Sequence, residues 1–139
     1  MKLLQITRAV QSTLEKLKPN NVEEAYQEHF YSELSKLSAE ELVSARKEYS
    51  TCLRNLRDLD ELRGYFRSKF DAIGDDSYDD FCCWIISMGE DCFKDASGER
   101  ISLDKYIESF DQGCYFEILG PTFTSVYEEL IGDDINDML

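Results

Sequence analysis

Asp75-Asp76-Ser77-Tyr78-Asp79-Asp80-Phe81-Cys82-Cys83-Trp84-Ile85-Ile86-Ser87-Met88-Gly89 is the stretch that decides the fold of this chain. It holds the single tryptophan and the longest apolar run, Phe81 to Ile86, and an acidic cluster leads straight into it. Ser77 has the side chain of a helix N-cap, with Asp79 and Asp80 in the first turn, where carboxylates face the positive end of the helix dipole. Beyond that cap, Phe81, Ile85, Met88 and Cys92 recur at helical spacing, and Cys82, Ile86 and Phe93 form a second stripe beside them. A helix that is apolar over most of its circumference has to be surrounded by other elements. The compatible pattern continues for about 18 residues, to Ala96, which is long for a buried strand and predicts a helix.

Working outward, the spacing predicts helices on both sides. Leu3, Ile6, Val10, Leu14 and Leu17 mark a first helix ended by Pro19. Asn21 caps a second, with Glu23 and Glu24 in its first turn and Val22, Tyr26, Phe30, Leu34 and Leu37 along one face. Ser38-Ala39-Glu40-Glu41 is a capping box that starts a third, carrying Leu42, Ala45, Tyr49, Cys52, Leu53 and Leu56. Asp58 is placed to cap a fourth, with Leu59, Leu62, Phe66, Phe70 and Ile73 facing in and Gly74 as its C-cap.

Past Ala96 the pattern loosens. Ser97-Gly98-Glu99-Arg100 reads as a turn. Ser102 is placed to cap a short helix with Leu103, Tyr106, Ile107 and Phe110 facing in, broken at Asp111-Gln112-Gly113. Cys114 to Leu119 fits either an extended piece or a helical turn. Pro121 suits the first position of a last helix with Phe123, Val126, Tyr127, Leu130 and Ile131 apolar; Gly132 ends it, and residues 133–139 read as a frayed acidic tail. No strand alternation, repeat or linker interrupts this order. The expectation is an all-α fold: one domain over residues 1–139, with six or seven helices around a buried central one.

The totals agree. The chain has 139 residues, 42% of them hydrophobic, enough for one core. It contains no apolar run long enough to span a membrane and no signal-peptide pattern at its start, so a cytoplasmic location is expected. The five cysteines, Cys52, Cys82, Cys83, Cys92 and Cys114, match no disulfide framework or zinc spacing and read as reduced, mostly buried thiols. The net charge of −14 is unevenly placed. Residues 1–73 carry 12 basic and 12 acidic side chains; residues 74–139 carry 3 and 17. Such a field repels nucleic acid and anionic membranes and attracts a basic partner.

Few residues point to catalysis. The only histidine, His29, lies mid-helix, and no nucleophile elbow, P-loop, dinucleotide fingerprint or zinc-protease motif is present. A cysteine meeting His29 in space would form a thiol–imidazole pair, but no local motif supports one. Asp75/Asp79 and Asp76/Asp80 are spaced i, i+4, a spacing able to hold a divalent cation. A Ser77 cap would leave Asp75 and Asp76 outside the helix, and no EF-hand loop is present, so no metal is expected. Cys82 and Cys83 point about 100° apart on a helix and form no easy disulfide. They and Trp84 read as packing residues, with an exposed aromatic anchor as the other reading of Trp84.

The stretch from Gly74 to Gly89 also resembles the signature of a bacterial family, domain of unknown function 4240. The shared features are the aspartate pair Asp75-Asp76, then Phe81, Trp84 three residues on, the aliphatic pair Ile85-Ile86, and Gly89. Tyr78 stands at the family's first aromatic position, Cys82 replaces its arginine, and the serine follows the Asp75-Asp76 pair instead of preceding it. Leu37-Ser38-Ala39-Glu40-Glu41-Leu42 and Val126-Tyr127-Glu128-Glu129-Leu130-Ile131-Gly132 are similar to two further family segments. The resemblance implies a small helical cytoplasmic bacterial domain. It brings no activity and no catalytic residues, and any role of the missing arginine cannot be carried over.

Charge and inventory together lead to the expectation of a non-catalytic binding protein. It would neutralise a basic protein partner, in the manner of an immunity protein or antitoxin that blocks a toxin domain. The expected contacts are Asp75, Asp76, Asp79 and Asp80, with Asp133 and Asp134 as a second patch, and no cofactor or small-molecule ligand is expected. The rival readings are a structural or regulatory module with a solubilising acidic surface, a DNA-mimic inhibitor, and an enzyme working through carboxylates or a cysteine–histidine pair.

Overall fold

Nine consecutive residues, Phe81 to Gly89, are buried, and they lie at the centre of the fold. The computed structural model describes residues 2–70, 75–98, 101, 103–107 and 118–139. Among these are eight α-helices and no strand: α1 (Lys2–Leu17), α2 (Val22–Ser35), α3 (Ala39–Arg57), α4 (Asp60–Phe70), α5 (Asp75–Met88), α6 (Glu90–Ser97), α7 (Asp104–Ile107) and α8 (Leu119–Ile131). A 3₁₀ turn, Ile135–Met138, follows. The all-α expectation is met, and α5 is its buried centre, packed against α1, α3, α4 and α6.

Several helix starts are those read from the sequence. Asn21 is extended and its side chain accepts from the Glu24 backbone N–H. Ser38 and Glu41 form the reciprocal capping box, satisfying two amide groups that the first turn leaves open. Gly132 ends α8 in the left-handed region, φ 86°, and its N–H donates to the Glu128 carbonyl.

Other boundaries differ. α5 starts at Asp75, so Ser77 is an interior helical residue and not the cap. Asp, Asp and Ser all have cap-type side chains, and the chain continues helical through the earlier two. The long central helix divides at Gly89 into α5 and α6, so the described residues hold eight helices where six or seven are expected. Gly89 sits at φ +103°, a conformation that L side chains rarely adopt. A Cβ there would also lie 2.6 Å from Arg8 Cβ and 2.8 Å from Arg8 Cα, so the missing side chain lets α1 approach the break. Asp58 is the C-cap residue of α3, and α4 begins two residues later. α8 begins at Leu119, with Pro121 third and not first; the amides of a first turn have no helical partner, so proline is tolerated there. The readings of Gly74, Ser102, Phe110, Asp111-Gln112-Gly113, Glu99-Arg100 and most of Cys114–Leu119 fall outside the described residues.

Aromatic and tyrosyl contacts hold α5 in place. Trp84 is 2% exposed and stacks on Phe81, centroids 5.5 Å apart, and Phe81 in turn meets Phe66 at 4.9 Å. The Tyr78 hydroxyl donates to the Leu56 carbonyl (2.6 Å) and the Tyr26 hydroxyl to the Ser87 carbonyl (2.8 Å). Both acceptors lie in the last turns of their helices, where carbonyls lack partners within the helix; the Leu56 carbonyl also accepts from the Leu59 N–H at 3.3 Å. Trp84 and the cysteine pair are therefore core, as expected, and Trp84 is no exposed anchor.

α8 lies over α2 and α3. Phe123 meets Phe30 edge-on at 5.7 Å and Tyr49 at 6.3 Å. The segment after α8 is acidic but not frayed: Ile135 is fully buried, and the Asp134 carboxylate accepts from the Asn136 N–H (3.0 Å), fixing the 3₁₀ turn.

Candidate partner-binding surface

The expected contact residues fall into two settings. At the start of α5, Asp79 is held by Arg57 of α3: Nε donates to Oδ1 at 2.9 Å and Nη2 to Oδ2 at 3.3 Å. This forked pair ties the end of α3 to α5, and its charge is compensated within the chain. Asp80, one residue on, is half-buried. Asp75 and Asp76 lie on the helical backbone, so their i, i+4 spacing to Asp79 and Asp80 is kept; their side chains are outside the described residues. Among the described residues no group of three His, Cys, Asp or Glu side chains comes together to hold a metal.

At the other end of the chain, Asp133 and Asp134 are exposed. They follow a last turn of α8, Glu128 to Ile131, in which no residue is buried. No lysine or arginine occurs after Lys105 in the sequence. Among the described residues no lysine or arginine pairs with the acidic side chains of this end, unlike Asp79, which Arg57 of another helix reaches.

The structure adds carboxylates that the division of the chain into halves concealed. α2 belongs to the neutral first half, yet no lysine or arginine occurs between Lys18 and Lys36. α2 packs on α8, and Glu24, Gln27, Glu28, Tyr31, Thr122 and Ser125 line a cleft of about 450 Å³ between them. The Tyr31 hydroxyl donates to the Glu129 carboxylate across this seam. The cation-free run from Pro19 to Ser35 was the signal for Glu24 and Glu28. It is invisible in a half-chain total because α1, α3 and α4 supply the compensating cations.

An apolar cleft of about 240 Å³ adjoins the end of α8, lined by Ala39, Glu40, Val43, Tyr127 and Met138. Leu130, Ile131, Met138 and Leu139 are 45–53% exposed. Leu130 and Ile131 continue the apolar spacing of the last helix, but the buried contacts of α8 end at Tyr127, one turn earlier.

The thiols have the character of core residues. All four described cysteines are buried. Burial pushes the Cys82 thiol up to about 12 and the Cys52 thiol up to about 11, and raises Cys83 and Cys92 as well. Protonated thiols are poor nucleophiles and poor metal ligands at neutral pH. The Cys83 sulfur meets the Tyr49 hydroxyl at 3.4 Å. His29 is half-buried on α2.

Comparison with known proteins places the chain. Residues 5–129 match the family described as "Protein of unknown function (DUF4240)". The match covers most of the chain, and the protein belongs to that family. No curated protein and no solved structure matches it. Among the described residues no helix is long and apolar enough to cross a membrane.

Proposed function

We propose that this member of the DUF4240 family is a non-catalytic binding protein that neutralises a basic protein partner, in the manner of an immunity protein or antitoxin. The observation that carries the reading is the acidic surface at the end of α8: Glu128, Glu129, Asp133, Asp134 and Asp137 are exposed, and among the described residues no lysine or arginine pairs with them. A field of that sign accelerates encounter with a cationic surface and disfavours nucleic acid and anionic membranes. The carboxylates would occupy the phosphate-binding cations of a toxin domain and exclude its substrate. Buried, protonated thiols support a non-catalytic role, and the reading places the protein in the cytoplasm, where a toxin's target would be protected.

The test is affinity purification of the tagged chain from its native host at low salt. The expected result is a basic protein that elutes when salt is raised and whose activity is lost on adding the purified chain. Recovery of no basic protein, or of one whose activity is unchanged by the chain, contradicts the reading.

A further inference from the structure

We infer that the apolar cleft where α3, α8 and the 3₁₀ turn meet is the docking site for a cationic amphipathic segment of the partner; this rests on the basic-partner reading above and gives it a location. Three observations meet there. Ala39, Val43, Tyr127 and Met138 make an apolar floor, with Glu40 at its edge. Leu130 and Ile131 follow Tyr127 by three and four residues, so they lie one turn further along the same side of α8, and with Met138 and Leu139 they extend the exposed apolar surface. Glu128 is exposed on α8, Asp137 on the 3₁₀ turn, and Asp133 and Asp134 on the link between them. Apolar centre and charged rim are the anatomy of a protein interface.

The surface is also held in shape. The fully buried Ile135 anchors the 3₁₀ turn, and the Asp134 carboxylate caps it through the Asn136 N–H. Met138 is thereby presented on an ordered turn. Such a surface binds without first ordering a segment, and an amphipathic helix fits an apolar cleft of this kind. Charge selects the occupant. A second copy of this chain would bring its own Glu128, Asp133, Asp134 and Asp137 against the same carboxylates. A segment with apolar residues on one face and lysines or arginines beside them meets both the floor and the rim.

The probe that tests this is a labelled peptide of roughly 18 residues, leucine and lysine patterned at helical spacing. A scrambled peptide of the same composition and an oligolysine of equal charge serve as controls. Binding is read by fluorescence anisotropy and the site by amide hydrogen exchange. The expected result is binding of the patterned peptide with protection at residues 39–43 and 127–139. Binding should weaken about tenfold in Leu130→Ser with Met138→Ser, as for loss of apolar anchors, and stay unchanged in Val22→Ser, an exposed apolar residue elsewhere. All three positions are exposed, so the fold is kept, and serine leaves the charge unaltered.

Peptide binding that ignores the paired serine substitutions, with protection elsewhere, overturns the location and leaves the basic-partner reading standing. Failure of the patterned peptide, the scrambled peptide and the oligolysine alike at low salt counts against both. Concentration-dependent self-association that Met138→Ser abolishes makes the occupant a second copy and overturns the inference.

Discussion

α5 and α8 each join an apolar stretch to a group of acids, and they use the combination in opposite ways. In α5 the acids come first and every residue from Phe81 to Met88 is buried. In α8 the apolar residues come first, buried contacts end at Tyr127, and the acids sit on an exposed final turn beside Leu130 and Ile131. The Asp79 charge is answered by Arg57 of a neighbouring helix. Among the described residues no lysine or arginine pairs with the acids at the α8 end. Composition is alike in the two places; neighbours decide that one is core and the other surface.

Truncation gives the largest contrast between these regions. Trp84→Ala should destabilise the protein by about 3–5 kcal/mol, the usual loss for a buried aromatic, whereas Leu130→Ser should stay within about 0.5 kcal/mol of the parent, as exposed substitutions do. Urea unfolding followed by circular dichroism measures both. Similar effects at the two positions would erase the distinction between core and surface.

The junction of α5 and α6 offers a second handle. Gly89→Ala adds a methyl against the Arg8 backbone at a positive φ. Backbone strain alone is worth about 1–3 kcal/mol, and the contact with Arg8 adds to it, so a fall in denaturation midpoint larger than that of an ordinary glycine-to-alanine change is expected.

Asp79→Asn separates structural from recognition carboxylates. The pair is solvent-accessible, with side-chain exposure of 46% and 37%, so its removal should lower stability by only about 0.2–1 kcal/mol. Partner affinity should change less than it does for Asp133→Asn with Asp134→Asn, measured side by side by calorimetry. The reverse ranking would return the binding surface to the start of α5.

The smallest effect concerns Glu41, next to the Glu40 that edges the apolar cleft. Hydrogen bonds from the Lys2 ammonium and the Ser38 backbone N–H hold its carboxyl at about 2, below its ordinary value of 4.5. A depressed folded-state pKa contributes stability above the unfolded pKa, and that contribution is lost as pH falls through the folded one. The Tm advantage of the parent over Glu41→Gln should therefore be constant above about pH 5 and fade between about pH 4.5 and 2.

Much of the fold was legible because local chemistry fixes helix ends. Asn21, the Ser38–Glu41 box and Gly132 each satisfy groups within a few residues of themselves, and each was read correctly. The misread ends are those decided from a distance. Asp75-Asp76-Ser77 offers three cap-type side chains in a row, and nothing local selects among them. Gly89 breaks a continuous apolar pattern because α1 passes over it at Arg8, far away in sequence. The site was less legible for the same reason. Asp79 looks available until Arg57 is brought to it across 22 positions. Glu24 and Glu28 look compensated in the total for their half of the chain until α2 is set beside α8, with Glu24 and Glu28 lining the cleft between them. Leu130 and Ile131 fit the stripe of α8, and only the end of its packing partners exposes them.

The proposed function depends on an acidic surface capturing a basic protein, so the most direct test is the salt dependence of that association. The partner purified from the native host should bind the intact chain with an affinity that falls steadily between about 0.1 M and 1 M salt, as the screening length shrinks from about 10 Å to about 3 Å. Asp133→Asn with Asp134→Asn should flatten that dependence. An affinity that does not change over the range, in the parent as in the variant, would contradict the account.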